Sequence, residues 1–426
     1  MRRVVVTGIG PVTAVGTGVD AAWKALLAGH SGIGPIRRFD ASSLRTRLAA
    51  EIDGFTAGDF LDRRSERKTT RVEHLAVGGA ALAVADAGLD ALDPARTALF
   101  TAGSKEVSDL TKLVDAVTGA IGEHGRFDVR RVGERSGTFP PLFYVEGLQG
   151  ASLFYISAKW GLTGPNTYFA GTAEAGANAI GRAFRVIRRG EADRAIAGAA
   201  DDPVWWWPMS SFDSLGLLST DNDAGAAAFR PYDRRGSGAV LGEGAAFVLL
   251  EEYETAKRRG APIYAEVVGY GTGADAHAGV TPHPDGRGLV HALRRALAEA
   301  GCAPGDVSYI ASHGSATRLG DRSEARALRT VFGAAVPPAS SVKPATGHLV
   351  GAAGALNFAV AALAVRHDVV PPTLNLEDPR PECALDWVPG TARELPVRYA
   401  LAVARGLEGQ NVVCALRSVA GGTNRD

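Results

Sequence analysis

The sequence predicts a layered α/β fold with helices packed on mostly parallel sheets, and three observations carry that expectation. β-type runs alternate with helical patterns along the whole length. The chain has 426 residues, beyond the usual size of one hydrophobic core, so two domains or two fused halves are expected. Two Ala/Gly-rich stretches, one after Ala173 and one after His348, have the small-residue character of helices buried on all sides.

Taken in order, the first strand is expected from Val4 to Gly8, after the basic Met1-Arg2-Arg3. Gly8, Gly10 and Pro11 end the apolar run too early for a signal peptide and read as a tight turn. The same Gly8-Ile9-Gly10 invites a dinucleotide-binding reading. The third glycine of that fingerprint is missing and no acidic residue closes a second strand at the proper distance, so the turn is preferred. Further strands are expected at Thr97 to Thr101, Arg194 to Gly198, Ala245 to Leu250, Tyr264 to Gly269, Tyr309 to Ala311 and Val412 to Leu416. Helices are expected at Arg71 to Ala87, Gly176 to Arg189, Leu289 to Ala300, Arg322 to Thr330 and Gly347 to Val365.

A weak internal likeness relates Thr101-Ala102-Gly103-Ser104 to Ala311-Ser312-His313-Gly314-Ser315, and the helix after Ala173 to the helix after His348. It points to a duplication, with halves at 1–255 and 256–426. The stretch 105–148 reads as a helical and loop insertion, and the tail from Gly421 to Asp426 as disordered.

Composition excludes several classes of function. Acidic and basic residues number 46 each, so no long-range field favours nucleic acid or an anionic membrane, and neither is expected as a partner. Cys302, Cys383 and Cys414 are far apart, form no CxxC pair and fit a reducing cytoplasm. The apolar run Gly347 to Val365 is long enough to span a bilayer, but it is built of Ala and Gly and includes His348 and Asn357, so a buried helix is expected. Of nine histidines, His30, His74, His124, His277, His283, His291 and His367 have no second ligand type at a short helical spacing, and no metal is expected. Trp205-Trp206-Trp207 is read as core or dimer packing.

The remaining two histidines differ. His313 in His313-Gly314-Ser315-Ala316-Thr317 and His348 in Lys343-Pro344-Ala345-Thr346-Gly347-His348 each stand at a turn between an apolar run and a helix, among small neighbours. Residue types alone leave both a catalytic and a core reading open. They look like partners for a third group, yet Gly164-Pro165-Asn166-Thr167-Tyr168-Phe169-Ala170-Gly171-Thr172-Ala173-Glu174-Ala175-Gly176, which leads into the first Ala/Gly helix, offers no strong nucleophile.

With these segments assembled, the whole chain resembles the β-ketoacyl-acyl-carrier-protein synthases, FabF-like and type II polyketide ketosynthases. The carrying segments are Val4 to Gly10, Gly161 to Asn166, Arg230-Pro231-Tyr232-Asp233 through Gly242-Glu243-Gly244-Ala245, His313 to Thr317 with Gly320-Asp321 and Glu324, and Lys343 to Gly354. The resemblance implies a thiolase fold, layered α/β/α/β/α with two pseudo-repeated halves. It implies no cofactor, the substrates being carried on the phosphopantetheine of acyl carrier protein. In that family a cysteine at a helix N-terminus takes the acyl chain, and two histidines promote malonyl decarboxylation and stabilise the enolate. His313 and His348 match those histidines, Lys343 the family's lysine, and Ser315 with Thr317 residues that contact phosphopantetheine.

Two departures follow from the same alignment. The cysteine position falls on Ala173, fixed by Pro165 on one side and by Gly176 and Gly181 on the other, and alanine forms no thioester. The family's Gly-Phe-Gly-Gly-Thr-Asn loop, which supplies a backbone N–H to the oxyanion hole, is here Gly406-Leu407-Glu408-Gly409-Gln410-Asn411. Leu407 replaces the gating phenylalanine. Glu408 is expected to add bulk and charge beside the substrate.

Such departures resemble the chain length factor, a non-condensing subunit that pairs as a heterodimer with a cysteine-bearing ketosynthase and acts with acyl carrier protein. Retention of His313, His348 and Lys343 departs from that pattern too. It keeps open a malonyl-carrier-protein decarboxylase and a cysteine-independent acyltransferase, beside a carrier-binding protein without chemistry.

Overall fold

The computed structural model describes residues 1–104, 110–122, 124–135, 137, 148 and 150–419. The expected insertion at 105–148 falls partly outside them; its described part holds helices Leu110–Thr118 and Val129–Glu134. The tail Gly421 to Asp426 lies outside the described residues.

Ten strands carry the architecture: β1 Val4–Thr13, β2 Thr97–Gly103, β3 Asn166–Ala170, β4 Arg194–Asp201, β5 Gly244–Glu252, β6 Ala265–Ala274, β7 Tyr309–Ala311, β8 Ala339–Ser340, β9 Tyr399–Arg405 and β10 Gln410–Arg417. With the short arm Gly16–Thr17 on β1 they form one sheet in the order β8-β7-β9-β10-β6-β1-β5-β4-β2-β3. Divided between β6 and β1, each half follows one plan. Its third strand lies at the edge, followed by the second, fourth, fifth and first. In each half the second strand runs parallel to the third and fourth, and the fifth runs antiparallel to both neighbours. The duplication faintly legible in the sequence is therefore a full topological repeat. The sheet is mixed rather than mostly parallel, because the fifth strand opposes both of its neighbours.

Five helices complete the frame: α1 Arg71–Asp86, α2 Ala173–Arg189, α3 Arg287–Ala300, α4 Arg318–Phe332 and α5 Ala353–His367. Helix α1 covers β1, β4 and β5 from outside, and α3 covers β6 and β10. Between them α2 touches β2 and β4 but also β9 and β10, while α5 touches β7 and β9 but also β1 and β5. The five α/β/α/β/α layers follow. Only small side chains let two helices fit between the two halves of the sheet, which explains the Ala/Gly runs; Val350–His367, apolar enough to span a membrane, is 89% buried here. Local signals set the ends. The Thr70 N–H donates to Glu73 Oε2 at 2.6 Å at the start of α1, and α2 stops at Gly190, φ +81°, after Arg188 and Arg189 in its last turn.

The turn expected at Gly8-Ile9-Gly10-Pro11 does not occur, since β1 runs through it to Thr13. The glycines serve packing instead. A Cβ on Gly8 would lie 2.0 Å from the Ala83 oxygen, and one on Gly10 2.0 Å from the Gly79 oxygen, both in α1. The second half uses the same device: Gly269 and Gly271 of β6 would meet the Ala296 and Ala292 oxygens of α3 at 2.2 and 2.1 Å. Strands β3, β8 and β9 were not expected from the sequence. The residues of β3, just after Gly164-Pro165, read as the approach to α2.

Candidate active site

The loops after β7 and β9 meet the start of α2 around a cavity of about 440 Å³, lined among others by Ala173, His313, His348, Ser315, Thr317 and Leu407. Six residues singled out in the sequence, far apart along the chain, thus share one chamber.

His313 is 8% exposed, and its backbone is clamped. Its N–H donates to Glu324 Oε1 at 2.7 Å, the Gly314 N–H to Glu324 Oε2 at 2.9 Å, and Lys343 Nζ donates to the His313 carbonyl. Gly314 is required here: its φ is +47°, and a Cβ would stand 2.6 Å from that of Ser341. Buried surroundings, and then the Lys343 charge, hold the imidazole well below its ordinary value, so it is neutral. His313 Nδ1 is buried and has no hydrogen-bond partner among the described residues.

His348 sits 5.5 Å from His313 between ring centroids, edge to face, with the planes 76° apart. Its Nδ1 accepts the Val350 N–H at 3.1 Å, which leaves the proton of the neutral ring on Nε2. Burial, with Lys343 adding, pushes this group down to about 3. Val350, β-branched, holds φ +40° to make that bond and lines the cavity, so backbone strain is concentrated beside the histidine. Lys343 itself is not a lining residue. It is 2% exposed and held down to about 8 by burial against the pull of Glu324 and Asp321, and it acts on the histidines through the His313 carbonyl and its charge. Ser315 Oγ and Thr317 Oγ1 lie 2.9 Å apart on the wall.

Glu408 does not do what the sequence reading expected. Its side chain is exposed, 3.4 Å from Gln410 Nε2, and is not among the cavity-lining residues. The hairpin between β9 and β10 turns it outward. A buried carboxylate beside the cavity wall, behind Thr172 and Ala173, belongs to Glu174, which that reading passed over. Glu174 is 4% exposed in the first turn of α2 and accepts the Thr172 N–H at 3.2 Å and the Thr172 hydroxyl at 3.1 Å. Burial raises its pKa, with Glu408 adding. Thr172 Oγ1 in turn accepts the Leu407 N–H at 2.8 Å. One signal was available: Glu174 is the sole charged residue between Ala170 and Gly181.

A second cavity, about 660 Å³, shares Thr172, Phe212, Leu215, Val350 and Leu407 with the first. Leu407 thus stands between the two. Trp205 and Trp207 line the second, while Trp206 and Trp207 are 37% and 43% exposed. Cys302, Cys383 and Cys414 line neither; burial raises their thiols to about 11, 12 and 12, and none replaces a nucleophile at Ala173. Among the described residues no cluster could hold a metal ion.

The profile of the beta-ketoacyl synthase N-terminal domain matches residues 1–256, and that of the C-terminal domain matches 264–377. The chain belongs to the beta-ketoacyl synthase family. It is 38% identical over 423 residues to 3-oxoacyl-[acyl-carrier-protein] synthase 2 of Coxiella burnetii, covering 98% of this chain and 99% of that one. The ishigamide ketosynthase/chain length factor structure superposes with a TM-score of 0.87 at 32% identity over 98% of this chain and 99% of that one. A type II polyketide ketosynthase, in complex with its acyl-carrier protein and bound to a hexaketide, superposes at 0.86 and 28% identity, over 98% and 99%. This synthase-family chain has the thiolase fold of those structures.

Proposed function

We propose that this chain is the non-condensing member of a ketosynthase pair, a chain-length-factor-like subunit that joins a cysteine-bearing partner in elongating chains on acyl carrier protein. The observation that carries this reading is Ala173. At the cavity wall, at the N-terminus of α2, the residue aligned with the family's nucleophile has only a methyl group. The Leu407 N–H, which the family aims at a thioester oxygen, is taken by Thr172.

A partner is supported by the exposed edge of the sheet. Asn166, Thr167 and Ala170 of β3 are exposed, and among the described residues β3 pairs only with β2, which leaves its outer backbone groups for another strand. Phe154, 66% exposed, lies in the preceding helix Ala151–Trp160, which packs against β3. In the complex this chain would wall part of the chamber that holds the growing chain, and acyl transfer would occur on the partner's cysteine.

A second reading is supported by the histidines. Two neutral rings that both line the cavity, with the His348 proton on Nε2, suit a site that stabilises an enolate oxygen. Malonyl carrier protein could then lose carbon dioxide without a cysteine, the carboxylate carbon's bonding electrons passing into the enolate and a proton returning to give acetyl carrier protein. Intact-mass analysis of malonyl carrier protein separates the readings. A stable one-to-one complex with a cysteine-bearing synthase that elongates chains, and no conversion by the lone chain, is the expected result. Acetyl carrier protein formed by the lone chain and lost in His313→Ala would replace it with the decarboxylase.

A further inference from the structure

We infer that Thr172 and Glu174 form a built-in occupant of the thioester-oxygen site, so that acyl transfer is blocked by these two residues in addition to the missing thiol. This deepens the reading above and rests on it.

The argument starts from hydrogen bonds. A thioester oxygen entering this site needs the backbone N–H of Leu407, yet that N–H donates to Thr172 Oγ1 at 2.8 Å. The hydroxyl then donates onward to Glu174 Oε2 at 3.1 Å, and the Thr172 N–H bonds both carboxylate oxygens at 3.2 Å. The three residues therefore satisfy one another, and freeing the donor means breaking a buried chain of bonds that ends on a carboxylate.

Packing fixes the carboxylate in place. A Cβ on Gly406 would lie 2.2 Å from Glu174 Oε2, and one on Gly171 2.2 Å from Oε1. Bare backbone on both sides thus holds the carboxyl group between the loop that carries Leu407 and the residue before Thr172. Its position beside the start of α2 is where the family favours a thiolate, and a carboxylate there repels one. Restoring a thiol alone would accordingly restore a poor site. Loss of one oxyanion donor costs about 10²–10³ in rate in comparable acyl-transfer sites.

The test uses the full chain with hexanoyl-loaded acyl carrier protein. In Ala173→Cys, the introduced thiolate attacks the thioester carbonyl, the bond to the pantetheine sulfur breaks, that sulfur leaves and takes a proton, and the hexanoyl group remains on the chain as a mass increase. Ala173→Cys is compared with Ala173→Cys/Thr172→Ala, which frees the Leu407 N–H, and with Ala173→Cys/Glu174→Gln, which removes the charge but keeps an acceptor. Iodoacetamide alkylation of each variant measures thiol reactivity without an oxyanion. The expected result is hexanoyl transfer about 10²-fold faster in the Thr172→Ala double variant than in Ala173→Cys, with alkylation rates within about threefold. Glu174→Gln is expected to raise alkylation and transfer together, and it carries the test if Thr172→Ala does not fold. Transfer by Ala173→Cys as fast as by the doubles, or no transfer by any variant whose thiol alkylates normally, overturns the inference and leaves the non-condensing reading intact. Elongation of hexanoyl carrier protein by the unaltered chain alone overturns that reading instead.

Discussion

The two halves of the molecule share one strand plan and differ in what stands at the ends of equivalent strands. In the first half, β2 ends next to Ser104, whose hydroxyl donates to Asp201 Oδ1 at 2.8 Å at the end of β4, and Asp201 Oδ2 accepts the Gly351 N–H at 2.7 Å. In the second half, β7 leads into His313, and the equivalent of β4, β9, ends at Arg405, bonded to Asn411 and Ser323. One copy closes its turn with a structural carboxylate that also anchors the other half. The other copy keeps its turn open to the cavity and carries the histidines. The edges differ likewise: β3 is largely exposed, whereas β8 is buried and its Ala339 N–H donates to the Asp386 carbonyl at 2.9 Å. Duplication supplied two equal frames, and burial separates the one suited to chemistry from the one suited to a partner.

The strongest way to break this comparison is at the glycines the halves hold in common. Gly10→Val and Gly271→Val each force a side chain into a helix carbonyl 2.0 or 2.1 Å from its Cβ, and each should cost about 3–5 kcal/mol in urea unfolding. Tolerance at one site and not at the other would end the claim that both halves pack alike.

Next is Lys343, which has no counterpart role in the first half. Lys343→Met removes the donor to the His313 carbonyl and the buried positive charge near Glu324 and Asp321, and should cost about 3 kcal/mol. Because the Lys343 charge lowers both histidines, their NMR titrations should move upward in the variant while burial keeps them below the free value. Unmoved titrations would show that burial alone sets them.

Asp201 tests the first half. Burial raises this carboxyl to about 6 from an ordinary 3.8. A group that binds its proton more tightly in the fold gives its full stabilisation below the unfolded value and loses it as the pH rises through about 6. Asp201→Asn, which keeps an acceptor without the charge, should therefore gain on the parent by roughly 1–3 kcal/mol between pH 4 and pH 8. A constant difference across that range would mean that the carboxylate is charged at little cost.

The smallest expected effect on stability concerns the edge. Thr167→Lys on β3 should shift the assembly toward single chains in sedimentation while leaving unfolding within about 0.5 kcal/mol. An unchanged assembly would move the partner surface away from this edge.

Much of this was legible in the sequence. The layered class, the two Ala/Gly helices and the meeting of His313, His348, Ser315 and Thr317 around Ala173 all follow from residue patterns and from the family resemblance. Two failures have physical causes. Gly8 and Gly10 punctuate turns in general, and only the nearness of α1 reveals that they admit a helix backbone. Glu408 and Glu174 are indistinguishable as carboxylates in a string of letters. Which one is buried beside the start of α2 depends on the direction a hairpin turns, and that is set by contacts between β9, β10 and α2 that no local pattern encodes.

Strand β1 has a consequence for how the protein is made. Val4, Val5 and Val6 bond to β5 on one side and to β6 on the other, joining both halves into one sheet. This apolar segment therefore stays without its full set of neighbours until Ala265 has followed. Such distant pairing slows folding and prolongs the exposure of a sticky strand. Synthesis of this chain should accordingly depend on chaperones, and charged substitutions at Val4 to Val6 should harm its yield.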